Sequence, residues 1–348
     1  MSEEVRQRLN RQLDEAELAG SCLVPSAEKD RKALLDRGLE FIQPIFGLFA
    51  RRAVWRSLTP PQRTLSLMRG IAQSHPSWNF CGTSAAVAHG LPVTWSLLTH
   101  VEVATHSSGR SVPGIRMRRL SEQHATVQNG LRLTTLWRTV FDCLVELNLP
   151  DALAIADAAL RRTGMSAGWL VNHLRRTYRG HRGLHRALET ASLADGRSES
   201  GGESIARATM HELGFATPQI QVWFEDPLEP GKWFRVDFAW LTNEGQLILA
   251  EMDGRAKSML PEFTSGRDTA RVLQDERLRE SHLTAFRPAI IRFNYDDVLD
   301  REKFERRLES YGAPRRADQL QSLPEFVSIS CAIALFGWEP SEITLSAA

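Results

Sequence analysis

The sequence predicts a mixed fold of helices and strands, of the α+β or α/β class, and three observations favour it. Segments with apolar residues at helical spacing alternate with period-2 segments through the first 190 residues. A Gly/Ser/Asp-rich cluster at 194–202 changes the composition and predicts a domain boundary. Beyond it, the order helix, three strands, helix, strand, helix suits a mixed sheet flanked by helices.

Composition excludes several classes of protein. The chain has 348 residues, 42% hydrophobic and 24% charged, which excludes a disordered chain, a coiled coil and a collagen-like repeat. No apolar run approaches the ~20 residues that span a bilayer, and the four scattered cysteines form no C-x-x-C pair. The acidic, amphipathic start is unlike a signal peptide. We therefore expect a cytoplasmic protein that does not insert into a membrane. Because the sequence has no Walker A or G-x-G-x-x-G motif, we expect no nucleotide cofactor.

Charge is unevenly distributed along the chain. Residues 61–190 hold 15 Lys+Arg against 7 Asp+Glu, whereas residues 191–348 hold 18 against 26. This asymmetry favours an anionic partner for the middle of the chain, with solvated charged faces as the equally weighted alternative. The candidate anion contacts are Arg110, Arg116, Arg118, Arg119 and Arg132.

The segment 1–58 has the outline of a degenerate winged helix. One helix is predicted over 3–18, and a second begins after Pro25 with Ser26 as cap and stops before Gly38. Two short strands follow, with Pro44 and Gly47 at or near their turn. The second helix is acidic as well as basic, so DNA contact by this segment is the less favoured interpretation.

Residues 59–193 predict a mixed α/β domain that ends in helices. Thr59 before two prolines is typical of a helix start. Further helices are predicted over 83–90, 136–146, 151–162, 166–174 and 184–193, and period-2 strands over 101–104, 115–119 and 131–134.

Residues 194–311 predict the αβββαβ core, and 312–348 a tail that packs on a domain or on a partner. The predicted helices span 203–213, 266–283 and 298–311, and the strands span 220–224, 234–240, 247–252 and 289–293.

Three carboxylates of this second part predict a metal site. Asp237 lies in an apolar strand, and period 2 places Glu251 and Asp253 on one face of the next. If these strands form a hairpin through 242–245, Asp237 meets Glu251. Carboxylates so close repel one another unless a cation lies between them, and oxygen ligands suit Mg²⁺ or Mn²⁺. The alternative is a solvent-facing Asp237 and an ordinary turn after Glu251.

At these residues the chain resembles the PD-(D/E)XK, restriction-endonuclease-like superfamily, in the branch related to very-short-patch-repair endonucleases that occurs in actinobacterial proteins. The resemblance covers about 195–310 and rests on motifs such as Val-Asp-Phe-Ala-Trp and Ala-Glu-Met-Asp-Gly. It implies a Mg²⁺-dependent endonuclease in which Asp237 and Glu251 hold the metal and Glu203 supports them. Asp253 stands where the family often has Lys, so Asp253 or Lys257 would position the water.

The same resemblance suggests contacts with DNA. Arg279 and Arg292 match basic positions of the family, and Arg271 lies near the same face of the predicted helix as Arg279; these three residues could hold the phosphate backbone. Salt bridges to neighbouring acidic residues are an equally good explanation.

The N-terminal half resembles AbiEi-type antitoxins, chiefly through Cys-Gly-Thr-Ser-Ala-Ala-Val-Ala-His-Gly-Leu-Pro at 81–92. This implies a DNA partner, a cognate toxin or another protein partner, and a defence or toxin–antitoxin setting. The favoured function is phosphodiester hydrolysis in DNA. The alternative is a DNA-binding regulator or antitoxin whose nuclease fold is catalytically idle.

Overall fold

The computed structural model describes residues 3–36, 40–106, 111–120, 125–253 and 281–338. It confirms a mixed fold of helices and strands. The chain divides into two compact units, Met1–Ala194 and Asp195–Ala348. Among the described residues, no helix is both long enough and apolar enough to cross a membrane.

The first unit alternates helices with short strands. Its helices are α1 (Glu3–Leu18), α2 (Glu28–Leu35), α3 (Arg52–Ser57), α4 (Pro60–Ser74), α5 (Gly82–Ala88), α6 (Leu136–Glu146), α7 (Leu149–Thr163), α8 (Ala167–Thr177) and α9 (Leu184–Ser192). Its strands are β1 (Phe41–Ile45), β2 (Leu48–Arg51), β3 (Asn79–Phe80), β4 (Val101–Thr105), β5 (Ile115–Arg119), β6 (Ala125–Gln128) and β7 (Leu131–Thr134).

Three helices of this unit begin with the capping chemistry of the sequence: α4 at Thr59, α7 at Asn148 and α8 at Ser166. Thr59 precedes α4, and its backbone N–H donates to the side chain of Gln62, as in a capping box. The predicted cap Ser26 is wrong, because α2 follows Ala27, which has no side-chain acceptor. Glu28 and Asp30 in the first turn stabilise that end through the helix dipole instead.

Two sheets organise the first unit. Strands β1 and β2 form an antiparallel pair, and the larger sheet has the order β5-β4-β3-β7-β6. Sequence analysis missed β3, which is only two residues long, and β6, none of whose four side chains is buried. The buried side chains of Phe80, Val103 and Leu133 lie in the core of this sheet.

Two of the five candidate anion contacts in this unit are engaged by internal carboxylates. Arg118 is buried beside Glu102 and Glu146, so its prediction as a surface residue is wrong. Arg116 donates to Glu102 at 3.3 Å. The remaining three divide into Arg119 and Arg132, which are exposed, and Arg110, which lies outside the described residues.

The second unit is built on a six-stranded sheet. Its strands are β8 (Gln219–Glu225), β9 (Trp233–Thr242), β10 (Leu247–Met252), β11 (Ala289–Phe293), β12 (Leu320–Gln321) and β13 (Phe326–Val327). Their order is β11-β10-β9-β8-β13, with β12 also paired to β9. Its helices are α10 (Gly201–Glu212), α11 (Tyr295–Leu299), α12 (Arg301–Ser310) and α13 (Ile329–Phe336).

The predicted single helix over 298–311 is wrong, since α11 and α12 replace it. Asp300 has φ −84° and ψ 84°, which ends α11, and its side chain accepts the backbone N–H of Lys303. An Asp side chain that bonds its neighbouring backbone competes with a continuous helix. The predicted helix over 266–283 lies largely outside the described residues.

The C-terminal tail belongs to the second unit. Strand β12 pairs with β9 and strand β13 pairs with β8. Ala332 of α13 and Trp338 are buried in the same core as Val222 and Leu249. The tail was predicted to pack on a domain or on a partner. Its described part packs on the second unit.

Asp297 links α11 to α12, and we expect its charge to stabilise the second unit in a pH-dependent way. Burial raises its pKa, but Lys303, the backbone N–H of Asn294 and Arg307 outweigh that effect and lower it to about 2, against an ordinary 3.8. A lowered pKa adds stability that is present above 3.8 and lost as the pH falls towards 2. Asp297→Asn should therefore lower the unfolding free energy by about 2 kcal/mol near neutral pH. Denaturant titrations of both proteins at neutral pH and near pH 2 test this, and a difference that persists at low pH would contradict it.

Candidate active site

Glu203 is the first carboxylate of the candidate site and lies in the first turn of α10. Ser200 caps this helix by accepting the N–H of Glu203, while its hydroxyl donates to the Glu203 carboxylate at 2.7 Å. The backbone N–H of Glu199 donates to the same carboxylate at 2.9 Å. Burial, and then the charge of Asp237, raise the pKa of Glu203. The residue is thus a buried, fixed carboxylate beside a second one.

Gln221 joins Glu203 to the sheet, and sequence analysis missed it. Its φ of +56° is left-handed, and the pairing of β8 with β9 is interrupted at this residue. Its Nε2 donates to Glu203 at 2.9 Å and lies 3.4 Å from an oxygen of Asp237. The only signal in the sequence is a polar residue between Ile220 and Val222, in a stretch (220–224) whose other residues are apolar.

Asp237 lies where β9 stops pairing with β10. The last pair between these two strands is Phe238 with Ala250, so the next residues on each strand are Asp237 and Glu251. A carboxylate oxygen of Asp237 accepts the backbone N–H of Met252 at 3.0 Å. The side chain of Asp237 is thereby held against the end of β10.

Glu251 and Asp253 share one guanidinium. Strand β11 runs parallel to β10 with Arg292 in register with Glu251. Arg292 donates to Glu251 and to Asp253, each at 3.0 Å. Glu251 is only 8% exposed, so the guanidinium that bridges it to Asp253 neutralises a buried carboxylate.

The predicted residues that the structure describes, together with Gln221, therefore form two adjacent groups. Glu203, Gln221 and Asp237 make one, and Glu251, Asp253 and Arg292 make the other; the contact of Asp237 with the Met252 N–H brings them together. The ligand atoms of the three predicted metal carboxylates do not all lie within 4.8 Å of one another. Among the described residues, a different group does meet that distance: Asp226, Glu229 and His282. Three predicted residues lie outside the described ranges: Lys257, Arg271 and Arg279.

The group of Asp226, Glu229 and His282 was also missed by sequence analysis. His282 Nδ1 lies 2.8 Å from a carboxylate oxygen of Asp226, and both residues are buried. The other oxygen of Asp226 accepts the N–H groups of Leu228 and Glu229. Because His282 is 56 residues from Asp226, no local spacing could have revealed the contact.

Comparison with known proteins identifies relatives of part of the chain. It is 35% identical over 139 residues to two uncharacterized proteins of Mycobacterium tuberculosis, one from each of two strains. The match covers 37% of this chain and 49% of each relative, so the chain spans about half the length of the curated relatives it matches. No family model matches the chain. No solved structure matches it either.

Proposed function

We propose that this protein hydrolyses phosphodiester bonds in DNA with a divalent cation held at the end of β9 and β10. The observation that carries the proposal is that the Gln221 amide links Glu203 to Asp237, while Asp237 and Glu251 directly follow the last pair of β9 with β10. Glu203 and Glu251 are buried. Burying a carboxylate near another one costs free energy, and sites that do so are typically catalytic or metal-binding.

The donor set fits a hard divalent cation. Asp237 and Glu251 offer carboxylate oxygens from neighbouring strands. Oε1 of Gln221 is buried and has no hydrogen-bond donor within the described ranges, so it is a further oxygen ligand beside Asp237. Oxygen-rich sets of this kind suit Mg²⁺ or Mn²⁺.

Each residue has a distinct role in this proposal. Asp237 and Glu251 hold the cation, and Glu203 orients Gln221 through its hydrogen bond. Such a cation, when bound, polarises a phosphate and lowers the pKa of a bound water. By resemblance to the nuclease superfamily, Asp253 or Lys257 positions that water, and Arg271, Arg279 and Arg292 contact phosphates.

A second function, a DNA-binding regulator with an idle nuclease fold, is favoured by one observation. Arg292 holds both Glu251 and Asp253. A guanidinium in this position supplies the positive charge that a cation would otherwise bring. In the idle protein that ion pair is permanent; in the nuclease, Glu251 exchanges it for the metal.

Metal dependence distinguishes the two functions. The full chain is expected to nick supercoiled plasmid in Mg²⁺ or Mn²⁺ and to lose this activity in EDTA, because the proposed hydrolysis depends on the bound cation as a Lewis acid. Single- and double-stranded DNA are assayed in parallel, and activity is expected on at least one of them.

The outcome that contradicts hydrolysis is equally clear. Absence of cleavage on both substrates in either metal, with DNA binding retained, would favour the idle regulator. Activity of equal size in a Glu251→Ala preparation purified in the same way would show that the cleavage does not come from the proposed site.

A further inference from the structure

A cluster of arginines on α8, α9 and their connecting loop is left unexplained by the candidate active site. We define the α8–α9 arginine surface as Arg175, Arg176, Arg179, Arg182 and Arg186, which are all exposed. They lie within twelve residues of chain. The longer stretch 158–188 holds seven arginines and neither Asp nor Glu.

These arginines have no acidic partner in the part of the chain that the structure describes. Among the described residues, no carboxylate pairs with Arg175, Arg176, Arg179 or Arg182. Some exposed arginines elsewhere are paired, as in Arg6 with Glu3 and Arg306 with Glu302. Those without an acidic partner in the described ranges, such as Arg56 and Arg287, are not clustered in this way. The positive charge of the α8–α9 arginine surface is thus uncompensated within the described chain.

Helix stability explains only part of the pattern. Arg175 and Arg176 lie in the last turn of α8, where cations interact favourably with the helix dipole. Arg186 lies in the first turn of α9, where the dipole disfavours a cation. Arg179 and Arg182 lie in the loop between the helices and gain nothing from either dipole. Stability alone therefore does not account for five arginines here.

The surface is rigid and carries aromatic rings. Leu170 and Leu174 fix the inner face of α8 in the core. Next to these leucines, Trp169 and His173 stack with ring centroids 4.8 Å apart and planes 8° from parallel; both are half-buried and also contact the ring of Trp137. His173 precedes Arg176 by three residues, so the stack borders the arginines. Guanidinium groups beside stacked aromatic rings are typical of nucleic-acid binding surfaces.

We infer that the α8–α9 arginine surface binds the phosphate backbone of DNA. This inference rests on the proposed function only for the choice of DNA as the ligand. Guanidinium groups bind phosphate oxygens bidentately, and five of them in a short stretch suit a polyanion better than one small anion. An anionic membrane is less favoured, because the exposed large apolar residues of the described chain all lie outside 167–186.

Salt-dependent binding in EDTA tests the inference without hydrolysis. Anisotropy of a labelled DNA duplex is measured over a series of salt concentrations. Replacing Arg175, Arg176, Arg179 and Arg182 together by Gln should weaken binding at low salt by about tenfold or more, and should reduce the slope of log K against log salt by about 0.9 per lost phosphate contact. The same four changes to Lys should retain most of the slope, because an ammonium also neutralises a phosphate.

A matched control removes the same charge elsewhere. Its four Arg→Gln changes are at ion-paired positions, of which Arg31 is half-buried and Arg6, Arg301 and Arg306 are exposed. Equal salt slopes for this control and the test variant would overturn the inference, as would binding to phosphatidylserine vesicles without binding to DNA. A chain that binds DNA through this surface but never cleaves it would overturn the proposed hydrolysis alone.

Discussion

Replacing Glu251 by alanine is expected to lower the rate of metal-dependent plasmid cleavage by about 10³-fold or more. A bound divalent cation contributes several kcal/mol of transition-state stabilisation, and about 4 kcal/mol corresponds to about 10³-fold in rate. Glu251 is the buried carboxylate at the end of β10, in register with Arg292. Its removal takes away a proposed ligand that no neighbouring side chain replaces.

A matched variant separates this effect from a general loss of acidic charge. Glu244 lies exposed in the turn that joins β9 to β10, seven residues before Glu251 in the chain. Glu244→Ala removes the same group and should cleave plasmid at the unmodified rate. A Glu251→Ala protein that folds, binds DNA and cleaves at the unmodified rate would contradict the proposed site.

Arg292 adds a second readout to the same experiment. In Glu251→Ala, Arg292 keeps Asp253 but loses its buried partner. Leaving one member of such a pair unmatched destabilises a fold. The thermal unfolding midpoint of the variant is therefore measured beside its activity, and a loss of cleavage counts only where the variant remains folded at the assay temperature.

Sequence periodicity located the strongly patterned elements of this chain and not the weakly patterned ones. Helix α6 and strand β11 have the predicted bounds, Leu136–Glu146 and Ala289–Phe293, because their apolar residues repeat over a full element. Strand β3 has two residues and no period to detect. The break at Asp300 depends on a side chain bonding the backbone, which a count of apolar spacing ignores.

The candidate site shows the same division between local and long-range information. Period 2 predicted that Glu251 and Asp253 share a face, and both contact Arg292. The identity of that partner could not be predicted, since Arg292 is 41 residues from Glu251 and reaches it through parallel strand pairing. Gln221 was missed because its left-handed backbone, rather than its residue type, directs its amide to Asp237.

The largest expected loss of stability comes from Gly82→Ala, at about 4 kcal/mol or more. Gly82 begins α5 with φ +54°, a conformation that costs a non-glycine residue about 1–2 kcal/mol. A Cβ at this position would also overlap a carboxylate oxygen of Glu102 and a guanidinium nitrogen of Arg118. Both of those side chains are buried, and separating a buried ion pair costs about 3–5 kcal/mol.

The overlap with Glu102 destabilises the fold because the Glu102 carboxylate has little room to move. It accepts the backbone N–H of Thr83 at 2.6 Å and the Thr83 hydroxyl at 3.0 Å, and Arg116 donates to its other oxygen at 3.3 Å. An added methyl group must displace the carboxylate from the start of α5 or push Arg118 away from it. Either movement leaves charge or backbone donors unpaired inside the first unit.

Gly90→Ala isolates the conformational part of this cost. Gly90 ends the turn after α5 with φ +73°, and a Cβ there would meet no atom within 4 Å. Denaturant titration should give a loss of about 1–2 kcal/mol for Gly90→Ala, from backbone strain alone, and a clearly larger loss for Gly82→Ala. Equal losses would mean that Glu102 and Arg118 yield to the methyl group without losing their pairing. The buried ion pair would then be adaptable, and the glycine at position 82 would serve only the turn that starts α5.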